Sequence, residues 1–157
     1  MRAFFMSTDV LINNRLHVGG WAQLGLVARM VRTAVFIEEQ GISDSEEWDD
    51  DDALALHAVI TTLAERPLAT GRLITAGQAL GHAKIGRMAV LQNSRGAGLG
   101  RQILQALVRA ARQQGVQQLS LHAQTSAQDF YQREGFSPEG TVFDEVGIPH
   151  IVMTLRL

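Results

Sequence analysis

The chain contains no cysteine. That excludes disulfides, cysteine zinc ligands and a thiol nucleophile, and it leaves the redox compartment open. Charge of one sign is also lacking. Fourteen Lys and Arg face sixteen Asp and Glu, a net charge of -2, so nothing points to nucleic acid or an anionic membrane. No apolar run approaches the roughly 20 residues that span a bilayer. Met1 to Ile12 has one Arg and a short apolar patch broken by Ser7, Thr8 and Asp9, which makes a poor signal peptide. The cytoplasm is therefore the default compartment. The five histidines are scattered with no H-x-x-x-H pair, so no metal site is expected. No serine sits in a G-x-S-x-G elbow, which leaves serine hydrolase chemistry unsupported. Repeats, low-complexity segments and linkers are absent too. A chain of 157 residues is then expected to form one domain, 1–157, around a real core.

One stretch organises the rest, Ile85 to Arg101. Ile85 to Leu91 is apolar and partly β-branched, as a buried strand would be. Gln92-Asn93-Ser94 is turn chemistry. From Leu99 to Gln114, Leu99, Ile103, Leu107 and Ala111 recur at i, i+4, widened by Leu104 and Val108, with Arg101, Gln105, Arg109 and Arg112 on the polar side. That spacing predicts an amphipathic helix, stopped by Gly115. A strand leading through glycines into a helix N-terminus is a phosphate-binding device. Amides without intrahelical partners point outward, the helix dipole favours an anion, and glycine lets the backbone approach it. A Walker loop would need Gly-Lys-Ser/Thr, which is absent. The dinucleotide pattern G-x-G-x-x-G starts at Gly96 and Gly98 but meets Arg101. The pattern that fits is R-x-x-G-x-G, at Arg95, Gly98 and Gly100.

Elsewhere the expected order is a first strand over Val10 to Val18, then helical pattern from Trp21 to Glu39 that Gly25 divides, closed by Gln40-Gly41. Ser43 to Asp52 carries seven carboxylates and reads as an exposed, self-repelling loop able to attract a cationic amine. Trp48 within it should cover something. Strands follow over Leu54 to Leu63, Leu68 to Thr75 and Lys84 to Leu91, the first two joined at Glu65-Arg66-Pro67. After the Leu99–Gln114 helix come a strand over Gln118 to Ala123, a helix from Ser126 to Glu134 capped by Gly135, and strands near Gly140–Phe143 and Ile148–Leu155. One central mixed α/β sheet is expected, with an antiparallel meander and a parallel pair formed by the organising strand and Gln118–Ala123. A ligand belongs at the carboxyl end of that pair.

The Arg95–Gly100 pattern resembles the pyrophosphate loop of the GCN5-related N-acetyltransferases. A second segment, Gln124 to Phe136, is similar to their N-x-x-A-x-x-hydrophobic-Tyr-x-x-x-Gly-Phe motif. Ala127, Tyr131, Gly135 and Phe136 fall at matching places, while Gln124 stands where the family has Asn. Val35 to Gln40, then Glu47, Asp49, Asp52, His57 and the tail Phe143 to His150, resemble the small bacterial ElaA-like or YjcF-like branch. The resemblance covers nearly the whole chain and is weakest over residues 1–20.

It implies a central, mostly antiparallel mixed sheet with a splayed parallel pair, flanked by helices. The implied activity is transfer of an acetyl group from acetyl-coenzyme A to an amine, without a metal. A non-catalytic acyl-coenzyme A binding module of the same fold is the alternative. A bulge in the organising strand would present backbone groups of Met88, Ala89 and Val90 to the pantetheine arm and one N–H to the thioester oxygen, while the amides of Arg95, Gly96, Ala97, Gly98, Leu99, Gly100 and Arg101 hold the pyrophosphate beside the Arg95 and Arg101 side chains. Gln124 would supply a side-chain hydrogen bond to the cofactor. Tyr131 would donate to the departing thiolate, and Phe130 is expected to be more of a core residue than Tyr131. Glu39, His57, His122 and His150 are the candidate bases; Glu39 and His122 are the better placed, and His57, in an apolar strand, reads as structural. The expected partners are acetyl-coenzyme A and a small-molecule or peptide amine, with a homodimer compatible and with neither nucleic acid nor membrane.

Overall fold

The computed structural model describes residues 13–157. One seven-stranded sheet runs through it, in the order β1-β2-β3-β4-β5-β7-β6. Its strands are β1 (Asn14–Gly19), β2 (Leu56–Thr62), β3 (Pro67–Ile74), β4 (His82–Val90), β5 (Gln118–Gln124), β6 (Ser137–Glu145) and β7 (Ile148–Arg156). All neighbours are antiparallel except β4 and β5, which a helical crossover joins in parallel. The expected mixed sheet is therefore present. The expected first strand starts at residues that lie outside those described, and its observed part ends at Gly19 as anticipated.

Alternation along the strands sorts side chains onto two faces. Ala58, Ile60, Leu73, Ile85, Leu119, Leu121 and Met153 line one face beneath α4 (Leu99–Gln113), whose Ile103, Leu104 and Leu107 are fully buried. β3 and α4 touch so closely that a Cβ on Gly71 would stand 2.6 Å from Met88 Sδ and 2.7 Å from Ile103 Cγ2. Glycine at 71 is thus a packing requirement.

The other face carries α1 (Trp21–Arg32), whose last turns continue without a break as a wider π-helix over Thr33–Glu39. Leu24 and Ala28 of α1 pack on Val59, and Val31, Val35 and Phe36 on Ala89. Gly25 does not divide the helix, contrary to expectation. A Cβ there would meet the Trp21 ring at 3.0 Å, so this glycine admits an aromatic against the helix backbone. The helix closes where expected, at Gly41 with φ +73.

The acidic segment corrects the sequence reading more deeply. It forms two single turns, α2 (Asp44–Glu47) and α3 (Asp51–Leu54), so strand β2 begins later than Leu54. Three of its carboxylates are ion-paired, and two of them, Glu47 and Asp52, are buried. Arg32 binds Glu47 and Asp52 at 2.7 Å each, Arg72 binds Asp49 at 2.7 Å and Asp52 at 2.8 Å, and Arg87 reaches Glu47 and Asp49 at 3.3 Å. Three guanidinium groups against three carboxylates offset the repulsion among those three. Trp48 covers this cluster, with the Arg32 guanidinium 4.7 Å from its ring. His57 is structural, as read from its strand. Its Nε2 donates to the Asp52 carbonyl at 2.9 Å, Trp21 lies against its ring, and burial holds its pKa below the ordinary histidine value.

Candidate active site

The centre of the sheet opens where two irregularities coincide. β3 and β4 pair as Thr70↔Ala89 and Arg72↔Gly86, so Arg87 and Met88 together oppose Gly71 alone. Arg87 has φ +51. This is a β-bulge, which bends and twists its strand. The parallel pairing of β4 with β5 stops in the same place, at Ile85↔Leu121. Beyond it β5 continues to Gln124 paired only with β7. The two strands part like a V. Leu91 N–H donates to the Leu68 carbonyl of β3 at 2.9 Å. By alternation the backbone groups of Val90 and Met88 face the opposite way, into the gap. Ala89 pairs with β3 and turns its side chain toward α1.

The glycine loop closes the wide end of the V. Gly96 (φ +87) and Gly98 (φ +80) hold left-handed backbone, and nothing lies within 4 Å of a Cβ built on either. Gly98 caps α4, and the first intrahelical bond is Gln102 N–H to the Gly98 carbonyl at 3.1 Å. The amides of Leu99, Gly100 and Arg101 precede it, and no acidic side chain sits in that first turn. The end of the helix is electropositive and uncompensated, as an anion site requires.

Arg95 joins this loop to α1's π extension. Its guanidinium binds both Glu39 oxygens, at 2.7 and 2.8 Å, and its Nε donates to the Val90 carbonyl at 3.0 Å. Two predicted site residues, 56 positions apart, thus share one ion pair. The hydrogen bond from Arg95 holds the Glu39 carboxyl below the usual carboxylate range, which weakens Glu39 as a base. A cleft of about 240 Å³ lies between Ala34, Val35 and Glu39 on one side and Leu91 to Ser94 on the other. Arg101 turns away from the loop and pairs with Glu134 at 2.9 Å.

Tyr131 lies on α5 (Gln128–Arg133), which follows β5 through a 3₁₀ turn over Thr125–Ala127. Its ring meets Phe130 at 5.0 Å and Phe136 at 6.0 Å, both edge-on. Tyr131 is 8% exposed, whereas Phe130 is only partly buried. The expected ranking of the two is reversed, because the core around Phe136 encloses the Tyr131 ring and leaves Phe130 at its margin. Burial pushes the Tyr131 phenol well above its ordinary pKa, so it is a neutral donor.

Gln124, at the end of β5, exchanges amide hydrogen bonds with Gln40 at 2.9 and 3.5 Å. The tip of the V is thereby tied to the end of the π-helix. His122 lies two residues earlier on the same face. Its Nδ1 is 2.9 Å from Glu145 Oε1, and Phe143 abuts its ring edge-on at 5.1 Å. His150, in β7, donates from Nδ1 to the Ile148 carbonyl at 2.7 Å. Gln40 and Glu145 carry no role in the sequence reading. Glu145 was within reach of pattern reasoning. Val146-Gly147 makes a two-residue hairpin turn with φ +49 and +77, which sets Glu145 opposite Ile148 and beside His150.

A mixed sheet that parts at a bulge, over a glycine loop capping the crossover helix, defines the fold of the acyl-coenzyme A N-acyltransferases. The chain belongs to the GCN5-related N-acetyltransferases: the family model described as an acetyltransferase (GNAT) domain matches residues 55–157. It is 36% identical over 124 residues to the uncharacterised N-acetyltransferase YjcF of Bacillus subtilis, covering 78% of this chain and 86% of that protein. Among solved structures, an acyl-CoA N-acyltransferase from Pseudomonas aeruginosa superposes with a TM-score of 0.75 at 30% identity, over 90% of this chain and 98% of that one. Escherichia coli ElaA gives 0.80 at 26% identity, over 90% and 98%. The ElaA-like and YjcF-like resemblance is thus borne out.

Proposed function

We propose that the protein, as one domain over 1–157, transfers an acetyl group from acetyl-coenzyme A directly to an amine of a small molecule or peptide. The observation that carries this reading is the coincidence of the Arg87 bulge, the end of the β4–β5 ladder at Ile85↔Leu121 and the left-handed Gly96 and Gly98. An extended arm fits the gap, where Met88 and Val90 backbone groups face it, and phosphates fit the helix end. When bound, the thioester supplies an activated acyl carbon. A fixed N–H at its oxygen is worth about 3 kcal/mol as negative charge builds there. Arg95 is held at the mouth of this gap, positioned to exchange Glu39 for a phosphate oxygen.

Tyr131 supports the chemical step as a neutral hydrogen-bond donor to the leaving sulfur. Its raised pKa makes full transfer to a thiolate of pKa about 8.5 uphill, so donation rather than ionisation is its contribution. Calorimetric titration with acetyl-coenzyme A tests the reading. Saturable binding is expected, and Gly98→Asp should abolish it, because that change adds a negative charge at the phosphates and strains a left-handed residue. No heat of binding at millimolar ligand would refute the proposal.

A further inference from the structure

Gly86 is a glycine without a local reason. Its φ is not in the left-handed region, and no atom lies within 4 Å of where its Cβ would stand. Neither backbone conformation nor crowding demands it. Its neighbour Ile85 points into the α4 core, so Gly86 presents the other face of the sheet. It is also the first β4 residue past the last parallel pair, Ile85↔Leu121. Across the opening gap from it, on the same face, stands His122, between the buried Leu121 and Ala123. There is open space beside an imidazole where the strands part.

That imidazole is oriented. A carboxylate only accepts, so the 2.9 Å contact with Glu145 Oε1 places the His122 proton on Nδ1. In the neutral ring Nε2 then carries the lone pair. Glu145 stays ionised: burial raises its pKa, but the His122 hydrogen bond and the charges of His122, His150 and Lys84 outweigh it and leave it lowered. Its second oxygen lies 3.6 Å from His150 Nε2, too long for a hydrogen bond, so His150 is not a second anchor.

We propose that the acceptor amine seats over Gly86 and gives its proton to His122 Nε2, with Glu145 the positioning residue that holds the ring for this task. The proposal rests on the transferase reading above. The acceptor ammonium loses one proton to His122. The free amine nitrogen bonds the acyl carbon as the carbon–sulfur bond breaks, the nitrogen's second proton ends on the sulfur, and the imidazolium returns its proton to water. Glu145 takes none. The charged and titratable groups facing His122 are Lys84 from β4, Glu145 from β6 and His150 from β7, and Gln124 is next to it along β5.

The test compares wild type with Glu145→Gln, Glu145→Ala, Gly86→Ala and Gly86→Val. Proton–nitrogen NMR of the free protein should show the neutral His122 ring protonated on Nδ1, a tautomer preference that Glu145→Ala removes. In Glu145→Ala kcat should fall about 10-fold, a fraction of the roughly 10²- to 10⁴-fold that a positioned base contributes, with Glu145→Gln, whose amide oxygen still accepts from Nδ1, closer to wild type, while calorimetric affinity for acetyl-coenzyme A stays unchanged. Gly86→Val, and more weakly Gly86→Ala, should raise the acceptor KM without changing that affinity. An active wild type whose kcat and His122 tautomer do not respond to Glu145→Ala overturns the proposal alone, as does full acceptor affinity in both Gly86 variants. A wild type that acylates no amine overturns the transferase reading and the proposal together.

Discussion

Arg95 spends its whole guanidinium on two neighbours, the Glu39 carboxylate and the Val90 carbonyl. Both are partly exposed, so the Glu39 pair is worth at most about 1 kcal/mol. A phosphate group that competes for this guanidinium therefore displaces little. Tyr131 is different in kind, because its ring is core while its hydroxyl is the group proposed to donate to the leaving sulfur. Tyr131→Phe keeps the ring and should leave the melting temperature and acetyl-coenzyme A affinity near wild type. If the hydroxyl donates to the sulfur, kcat falls about 10²-fold. Because burial raises the phenol's pKa, no alkaline limb of the wild-type profile should belong to it. Equal kcat in the two proteins, with chemistry shown to be rate-limiting, would remove Tyr131 from the mechanism. At this scale short-range motifs single out Arg95, Gly98 and Tyr131 in the sequence. It hid the partners. Glu39 and Arg95 are 56 positions apart, and Gln40 and Gln124 are 84 apart, so only the fold joins them.

Among elements, the contact of α4 with β3 sets how the site is framed. Gly71 lets Met88, on the bulged strand, lie under Ile103 and Leu107. Gly71→Ala pushes a methyl into that contact and should cost about 1–3 kcal/mol by denaturant unfolding. Unchanged stability would show that the layers are looser than drawn. The amphipathic face of α4 was legible because i, i+4 spacing reports burial directly. The acidic segment was not. Its repulsion is a property of the run, while its cancellation depends on Arg32, Arg72 and Arg87 brought from α1, β3 and β4. Arg32→Met should cost about 3 kcal/mol, since it strips one partner from two buried carboxylates. Acid tests the same cluster. The hydrogen bond from Arg72 leads the effects that hold the Asp49 pKa below its ordinary value. Its share of stability is therefore present above about pH 4 and lost as pH falls through the lower folded value. Glu47 moves the opposite way, raised chiefly by burial, so the reporter is Asp49. Asp49→Asn should flatten the acid limb of a stability–pH curve, and an unaltered limb would contradict the pairing.

The molecule as a whole is two layers of helix on one sheet, with α4 and α5 on one face and α1, its π extension and the acidic turns on the other. The V between β4 and β5 opens between them. The glycine loop lies at its wide end, and the His122–Glu145 pair lies on the α1 side. Element order and the parallel pair were readable because a helix between two strands forces a crossover. The place where the ladder ends was readable only through the family resemblance, since no composition or spacing marks a strand's divergence. Among the described residues, no helix is long and apolar enough to cross a membrane. The central claim is that this V delivers an acetyl group to an amine. The most direct measurement is thiol release from acetyl-coenzyme A over a panel of primary amines, with products weighed by mass spectrometry. The account predicts thiol release matched one-for-one by an N-acetylated amine, lost in Gly98→Asp. Tight binding of acetyl-coenzyme A with no amine accelerating thiol release above the hydrolytic background would contradict it and leave a binding module in its place.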